Sequence, residues 1–184
     1  MSKIMREARR AAGKVFDRIA ILPERLAQWR RDRSLGADLR MTTGSVPDAG
    51  RLALFVIWQP AGLVPSTLQT CHHLVAQGYA PVVISNAALS DADRSLLAAA
   101  AHQVIERPNL GHDFGAWREA LLLRLRSGIL PTERLLLIND SIWFPLADDD
   151  DLLVRLDGDA GQHGFTGAAW MERPGRPHSA HFQS

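Results

Sequence analysis

The chain has 184 residues, 46% of them hydrophobic, so it is long enough to bury the core of one globular domain and to carry an additional segment. Its net charge of +1 conceals an uneven distribution: residues 1–40 hold eleven Lys or Arg against five Asp or Glu, and the remaining residues hold ten against fifteen. The domain is therefore mildly acidic, which argues against nucleic acid as its partner.

A single cysteine, Cys71, excludes an intramolecular disulfide and a zinc site built from cysteines. Its apolar neighbours predict that it packs within a helix and is not a nucleophile. The sequence contains no apolar run of about 18 residues, and no hydrophobic core of a signal peptide follows the basic amino terminus. These features predict a cytoplasmic protein.

Residues 1–40 are predicted to form a basic helical appendage, interrupted at Pro23, because apolar residues recur at helical spacing. Two interpretations are open. Such a helix can lie on the anionic inner face of the membrane, which would make residues 1–40 a peripheral membrane contact. The favoured alternative is a solvated appendage, since the apolar face is narrow and rich in alanine. Gly, Thr, Ser and Pro between Gly36 and Gly50 predict a linker, assigned to residues 41–50.

Strands and helices are predicted to alternate through residues 51–184, which indicates one α/β domain with a mostly parallel sheet and flanking helices. The predicted elements are a strand at Leu52–Trp58, a helix at Pro65–Gln77, a strand at Ala80–Ser85, a helix at Asp91–His102 capped by Ser90, a strand at Gln103–Ile105, a helix from about Ala116 to Arg126, a central strand at Leu135–Ile138, a helix opened by Asp148–Asp151, and a strand at Phe165–Trp170.

The central strand carries the first polar cluster. Four consecutive aliphatic residues, 135–138, predict a strand that is covered on both faces. Asn139, Asp140 and Ser141 follow it directly, and ligands of open α/β sheets bind beyond the carboxyl ends of the strands. Ordinary turn chemistry explains the same three residues equally well.

A second polar cluster, Asn109–Arg118, lies between a strand and a helix and should therefore reach the same edge of the sheet. Gly111 and Gly115 let a backbone approach a ligand closely, and the amides that open a helix suit phosphate. Their spacing is not the dinucleotide-binding fingerprint. Asp113 either holds a ligand hydroxyl group or caps the helix.

Other catalytic motifs are absent from the sequence. No Gly-x-Ser-x-Gly elbow and no phosphate-binding Walker motif occurs. Adjacent His72 and His73, and His178 with His181 in the tail, form no convincing metal set.

Several motifs together resemble the rhamnan synthesis protein F family. They are Leu54-Phe55-Val56, Val82-Val83-Ile84-Ser85-Asn86, the run Arg107-Pro108-Asn109-Leu110-Gly111-His112-Asp113-Phe114-Gly115-Ala116-Trp117, Ile138-Asn139-Asp140-Ser141 and His181-Phe182-Gln183-Ser184. The resemblance covers about residues 51–184. It implies a Rossmann-like fold of the GT-A glycosyltransferase type and a role in making rhamnose-containing cell-surface polysaccharide, rhamnan or lipopolysaccharide. Family chains continue past the last motif, so the resemblance implies an amino-terminal portion that is inactive alone.

The resemblance also implies a site for a nucleotide-sugar donor, with a glycan as acceptor. A divalent cation, Mg²⁺ or Mn²⁺, would be held by Asp140, although the usual second acid is missing. No catalytic base is assigned. The donor would be bordered by Ser85, Asn86, Asn109, Gly111, Asp113, Gly115, Asn139 and Ser141. The competing hypothesis is a non-catalytic α/β binding or interaction module, or an inactive relic of such an enzyme.

Overall fold

The computed structural model describes residues 22–128, 133–147, 149–160, 168–169 and 181–182. The chain divides into two compact units, Met1–Ile142 and Trp143–Ser184. Among the described residues, no helix is long and apolar enough to cross a membrane.

The first unit contains the sheet and its helices. In chain order its elements are α1 (Leu22–Arg33), β1 (Arg40–Thr43), β2 (Arg51–Ile57), α2 (Pro65–Ala76), β3 (Ala80–Ser85), α3 (Asp91–Ala100), β4 (Gln103–Glu106), α4 (His112–Arg126) and β5 (Arg134–Asn139). The predicted alternation of strand and helix is confirmed from β2 to β5. The predicted cap of α3 is confirmed too, since the Ser90 hydroxyl accepts a hydrogen bond from the Asp93 amide.

The five strands form one sheet in the order β1-β4-β3-β2-β5. The pairs β4–β3, β3–β2 and β2–β5 are parallel, and β1 is antiparallel to β4. The prediction of an α/β fold with a mostly parallel sheet and flanking helices is therefore confirmed. Residues 41–43 of the segment predicted as a linker lie in β1, which pairs with β4 from Arg40–Glu106 to Thr43–Gln103.

The core lies on both faces of β2 and β3, whose side chains are almost all buried. On one face, Leu54, Val56 and Val82 pack against Ala116 and Ala120 of α4. Alternate side chains of the same strands are buried on the other face, where Leu74 of α2 and Leu97 of α3 are also buried. Burial on both faces thus explains why the sequence is apolar without interruption through most of β2 and β3.

The prediction for residues 135–138 is wrong in one respect. Within the described residues β5 is an edge strand, not a central one, and its burial alternates. Leu135 and Leu137 are each 43% exposed, while Ile138 is buried. A run of four aliphatics therefore marks a strand here, but it does not imply cover on both faces.

The start of one helix also differs from the prediction. Helix α4 begins at His112, four residues before Ala116, so Gly115 lies inside it. Pro23 occupies the first turn of α1, where proline is tolerated, and the predicted helical segment before it lies within residues 1–21, outside the described residues.

The second unit contains α5 (Leu152–Ala160) and an antiparallel pair of two-residue strands, β6 (Ala168–Ala169) and β7 (His181–Phe182). The predicted opening of α5 by acids is confirmed for Asp150, whose Oδ1 accepts a hydrogen bond from the Leu152 amide at 2.9 Å. Residues 1–21, Asp148, the remainder of the predicted strand at 165–170, His178, Gln183 and Ser184 lie outside the described residues.

Candidate functional site

The strand order reverses between β2 and β5. From β2 the chain proceeds to β3 and β4 on one side, and β5 then pairs with the other side of β2. In open α/β sheets the ligand crevice lies at the carboxyl ends of the strands where this reversal occurs. The relevant place in this protein is therefore the edge formed by the ends of β2 and β5 and by the loops that follow them.

Asp140 joins the ends of these two strands. Its amide donates to the carbonyl oxygen of Val56 at 3.0 Å, and its Oδ2 accepts from the Trp58 amide at 2.9 Å and from Gln59 Nε2 at 3.1 Å. The side chain is half-buried. Asp140 thus fixes the start of the loop between β2 and α2, a structural role that the sequence did not predict.

Gln59 extends this connection into the loop. Its Nε2 also donates to Thr67 Oγ1 at 2.8 Å, and its Oε1 accepts from the Val64 amide at 3.0 Å. Because one side chain holds both ends of the 59–67 segment, the loop is anchored to Asp140. Nothing in the sequence marked Gln59 or Thr67 except their position after a buried strand.

The two predicted polar clusters meet at this edge. Asn139 Nδ2 donates to Asp113 Oδ2 at 2.7 Å, across a separation of 26 residues. The residue at the N-cap of α4 is Gly111, and no side chain caps this helix. Asp113 lies in the first turn instead, so the capping role considered for it is not observed. Its carboxylate is directed to the end of β5.

A buried arginine holds the turn between β4 and α4. Arg107 Nε donates to Glu119 Oε2 at 2.7 Å, Nη2 donates to the Leu110 carbonyl oxygen at 2.6 Å, and Nη1 donates to Asn86 Oδ1. Arg107, Glu119 and Asn86 are at most 4% exposed. One guanidinium therefore connects the ends of β3 and β4 with the body of α4. Arg107 was part of the family motif, but its role depends on Glu119, twelve residues away, which no local pattern indicated.

The predicted donor-binding residues separate into two groups by exposure. Ser85 and Asn86 are buried and bonded within the protein, the Ser85 hydroxyl to Ala87 and the Asn86 amide oxygen to Arg107. Gly115 is also buried. The other members are exposed or half-buried: Asn109, Gly111, Asp113, Asn139 and Ser141. Only the second group is accessible to a ligand in the arrangement described.

The backbone at the start of α4 has an uncommon conformation. Gly111 has φ 72° and His112 has φ 51°, both in the left-handed region. Glycine adopts this region without steric cost, whereas a histidine in it is strained. His112 is exposed at the same edge as Asp113. Strained backbone conformations concentrate at functional sites, and no sequence signal indicated this conformation of His112.

A second buried ion pair supports the neighbouring loop. Arg94 Nε donates to Glu106 Oε1 at 2.5 Å, and the Leu89 amide donates to Glu106 Oε2 at 2.9 Å. Burial raises the pKa of Glu106, but the hydrogen bonds from Arg94 and Leu89 lower it further, so the pKa lies below its ordinary value. The hydrogen bond to Glu106 in turn raises the pKa of Arg94. The pair is charged at neutral pH and fixes the segment after β3.

The carboxylates at the edge do not form a complete metal site by themselves. In the part of the chain that the structure describes, no group of three or more His, Cys, Asp or Glu side chains is placed to hold a metal ion. Oδ2 of Asp140 already accepts two hydrogen bonds, and Oδ2 of Asp113 accepts one from Asn139. A cation at this edge would therefore need most of its ligands from elsewhere.

Comparisons with known proteins point to one family. The family model described as rhamnan synthesis protein F matches residues 81–184. All the motifs quoted above lie within these residues except the strand Leu54-Phe55-Val56. An uncharacterized protein of Sinorhizobium fredii, y4gN, is 37% identical over 158 residues, which make up 84% of this chain and 40% of that protein. The chain thus spans about two fifths of the length of this curated relative. No solved structure matches the chain.

Proposed function

The chain belongs to the rhamnan synthesis protein F family, and we infer from this premise that it takes part in the synthesis of rhamnose-containing polysaccharide. We propose more specifically that the first unit is a glycosyltransferase domain of the GT-A type, which binds a nucleotide-activated sugar at the carboxyl edge of the sheet and transfers it to a glycan. The strand order β4-β3-β2-β5 supports this proposal, because it is the 3-2-1-4 order of Rossmann-type sheets.

The observation that carries the proposal is the hydrogen bond between Asn139 and Asp113. It brings two polar clusters together beside the point where the strand order reverses, and such points hold the ligand in open α/β sheets. The exposed residues Asn109, Gly111 and Ser141 border the same edge of the sheet. A site made only of turn residues would not require this long-range connection.

The residues fit a donor that carries a diphosphate. Transfer of a sugar leaves negative charge on the departing diphosphate, and the first amides of α4 have no intrahelical partner and suit an anion. Mg²⁺ is commonly bound by one or two carboxylates together with substrate phosphates, so Asp140 would supply a protein ligand and the diphosphate would supply others. The cation, when bound, would neutralise charge on the leaving diphosphate.

Calorimetry with a panel of uridine-, deoxythymidine- and guanosine-diphosphate sugars, each with Mg²⁺ or Mn²⁺, tests this proposal. A member of the panel should bind and should raise the melting temperature, since a ligand that binds only the folded state stabilises it by mass action. No heat with any member, on protein shown to be folded, would favour the non-catalytic binding module instead.

Replacement of Asp113 separates a ligand contact from a structural role. Asp113→Asn keeps an oxygen that can accept from Asn139, so the free energy of unfolding should change little. Loss of the charge should lower donor affinity by about tenfold or more, since hydrogen bonds to charged groups contribute about 1.5–3 kcal/mol.

The matched control is Glu133→Gln. Glu133 is an exposed carboxylate that precedes β5, so it lies at the opposite end of the strand that carries Asn139. Glu133→Gln should leave donor affinity unchanged. Equal affinity of wild type and Asp113→Asn would assign Asp113 to the scaffold.

A further inference from the structure

Helix α1 presents an apolar stripe to solvent. Leu22, Leu26 and Trp29 are 56%, 48% and 49% exposed. Their spacing of four and three residues places them on one face of the helix, within about 60° of one another at 100° per residue. Three adjacent apolar side chains on one exposed helix face form a candidate contact surface for a partner or a membrane.

Arginines border the stripe on both sides. At the same angular spacing, Arg25 and Arg30 lie to either side of it, and both are exposed. Arg33 lies at its end, where its guanidinium stacks over the Trp29 ring at 3.8 Å from the ring centroid. On a lipid surface, an arginine stacked on a tryptophan can keep its charge among the headgroups while the tryptophan ring enters the boundary with the acyl chains.

The helix is fixed to the domain through another side. The Asp32 carboxylate binds both terminal nitrogens of Arg118 on α4, with Nη2 to Oδ2 at 2.9 Å, and the Asp32 carbonyl oxygen accepts from Arg126 Nη2 at 3.1 Å. Asp32 lies about a quarter turn from the centre of the stripe. The contact with α4 therefore leaves the stripe facing outwards.

We propose that α1 docks on an anionic lipid surface, with Leu22, Leu26 and Trp29 in the interface and Arg25, Arg30 and Arg33 against the headgroups. The charge distribution selects this partner. Leu22–Arg33 holds four arginines against Glu24 and Asp32. Residues 1–40 as a whole carry a net charge of +6 and the remainder of the chain carries −5, so an anionic plane attracts the amino-terminal part of the sequence and repels the rest. Tryptophan is suited to the boundary between headgroups and acyl chains.

Vesicle co-sedimentation of the full chain tests the proposal, with vesicles of phosphatidylcholine alone and of phosphatidylcholine mixed with phosphatidylglycerol. The wild type should bind the mixed vesicles, and added salt should weaken the binding because it screens the charges. Leu26→Ser/Trp29→Ser and Arg25→Gln/Arg30→Gln should each lower the partition coefficient by about tenfold or more.

The matched control is Val75→Ser/Leu96→Ser, which replaces exposed apolar side chains on α2 and α3. It should bind as the wild type does. Circular dichroism and melting temperature identify any variant that fails to fold, and the arginine variant keeps the apolar stripe and so gives an independent result. Two outcomes would overturn the proposal: no binding of the wild type to mixed vesicles, or undiminished binding of both α1 variants, which would assign the lipid contact to another segment.

Discussion

At the scale of single residues, Gly115 is required by a close approach of the backbone. A Cβ atom at this position would lie 2.3 Å from the Leu110 carbonyl oxygen, which also accepts a hydrogen bond from Arg107. Neither group can move away without breaking the turn that precedes α4. The second glycine of the family motif is thus explained by packing within the protein, although its sequence pattern suggested contact with a ligand.

We therefore expect Gly115→Ala to lower the free energy of unfolding by about 1–3 kcal/mol, the usual cost of overpacking. Urea denaturation, followed by circular dichroism, measures this change in the free energy of unfolding. Gly158→Ala is the control, because a Cβ there meets nothing within 4 Å and the residue lies in helix α5, where alanine is favoured over glycine. A stable Gly115→Ala protein would show that the turn can shift away from Leu110.

The Arg94–Glu106 pair predicts a dependence of stability on acid. Because the pKa of Glu106 is lowered on folding, its contribution is fully present above the ordinary value of 4.5 and is lost as the pH falls through the lower, folded value. The unfolding free energies of wild type and Glu106→Gln should therefore differ most near neutral pH and converge in acid.

Urea titrations at a series of pH values measure this convergence. Glu133→Gln, which removes an exposed carboxylate, should follow the wild type throughout. A constant difference between wild type and Glu106→Gln across the acid range would mean that the charge of Glu106 does not contribute to stability.

At the scale of elements, β5 has two unlike faces. Ile138 is buried at 6% exposure, whereas the preceding Leu137 is 43% exposed. Shortening the side chain of Ile138 should therefore remove packing in the core, whereas shortening that of Leu137 should remove only the contacts of a half-exposed side chain. This alternation is the opposite of the uniform burial that the aliphatic run predicts.

We expect Ile138→Ala to cost about 2–5 kcal/mol and Leu137→Ala to cost less than about 1 kcal/mol. The two substitutions are matched, since they are adjacent and remove aliphatic side chains of the same size from one strand. Chemical denaturation of both variants provides the comparison. Equal costs would indicate that the outer face of β5 is covered in the protein in solution.

At the scale of the whole molecule, Cys71 reports on unfolding. The residue is fully buried in α2, and burial raises the pKa of its thiol to about 12. A thiol reagent reacts with the thiolate, so the folded protein should be protected at pH values near 8. The prediction that Cys71 packs in a helix is confirmed.

Labelling with a thiol reagent should therefore be slow in buffer and should accelerate with urea in parallel with loss of circular dichroism. Cys71→Ser provides the blank, because the chain has one cysteine. Rapid labelling in the absence of urea would show that the α2 side of the sheet opens without global unfolding.

Local patterns in the sequence determined most of the secondary structure of this protein and the edge that its two polar clusters share. The periodicity and turn residues predicted most strands and helices, because those signals act over a few neighbouring residues. The parallel topology then predicted that Asn139 and Asp113 share one edge, and their hydrogen bond agrees with this expectation. The family motif indicated the membership that the family model supports.

Only the tertiary structure decided which strand is central and which residues hold the edge together. Strand β1 and the edge position of β5 depend on pairing with distant strands, and local propensity does not contain that information. The same is true of Asp140, whose partner Trp58 is 82 residues away, and of Arg107 with Glu119. Buried polar groups must find partners wherever the fold places them, so their roles emerge only once the strands are ordered in space.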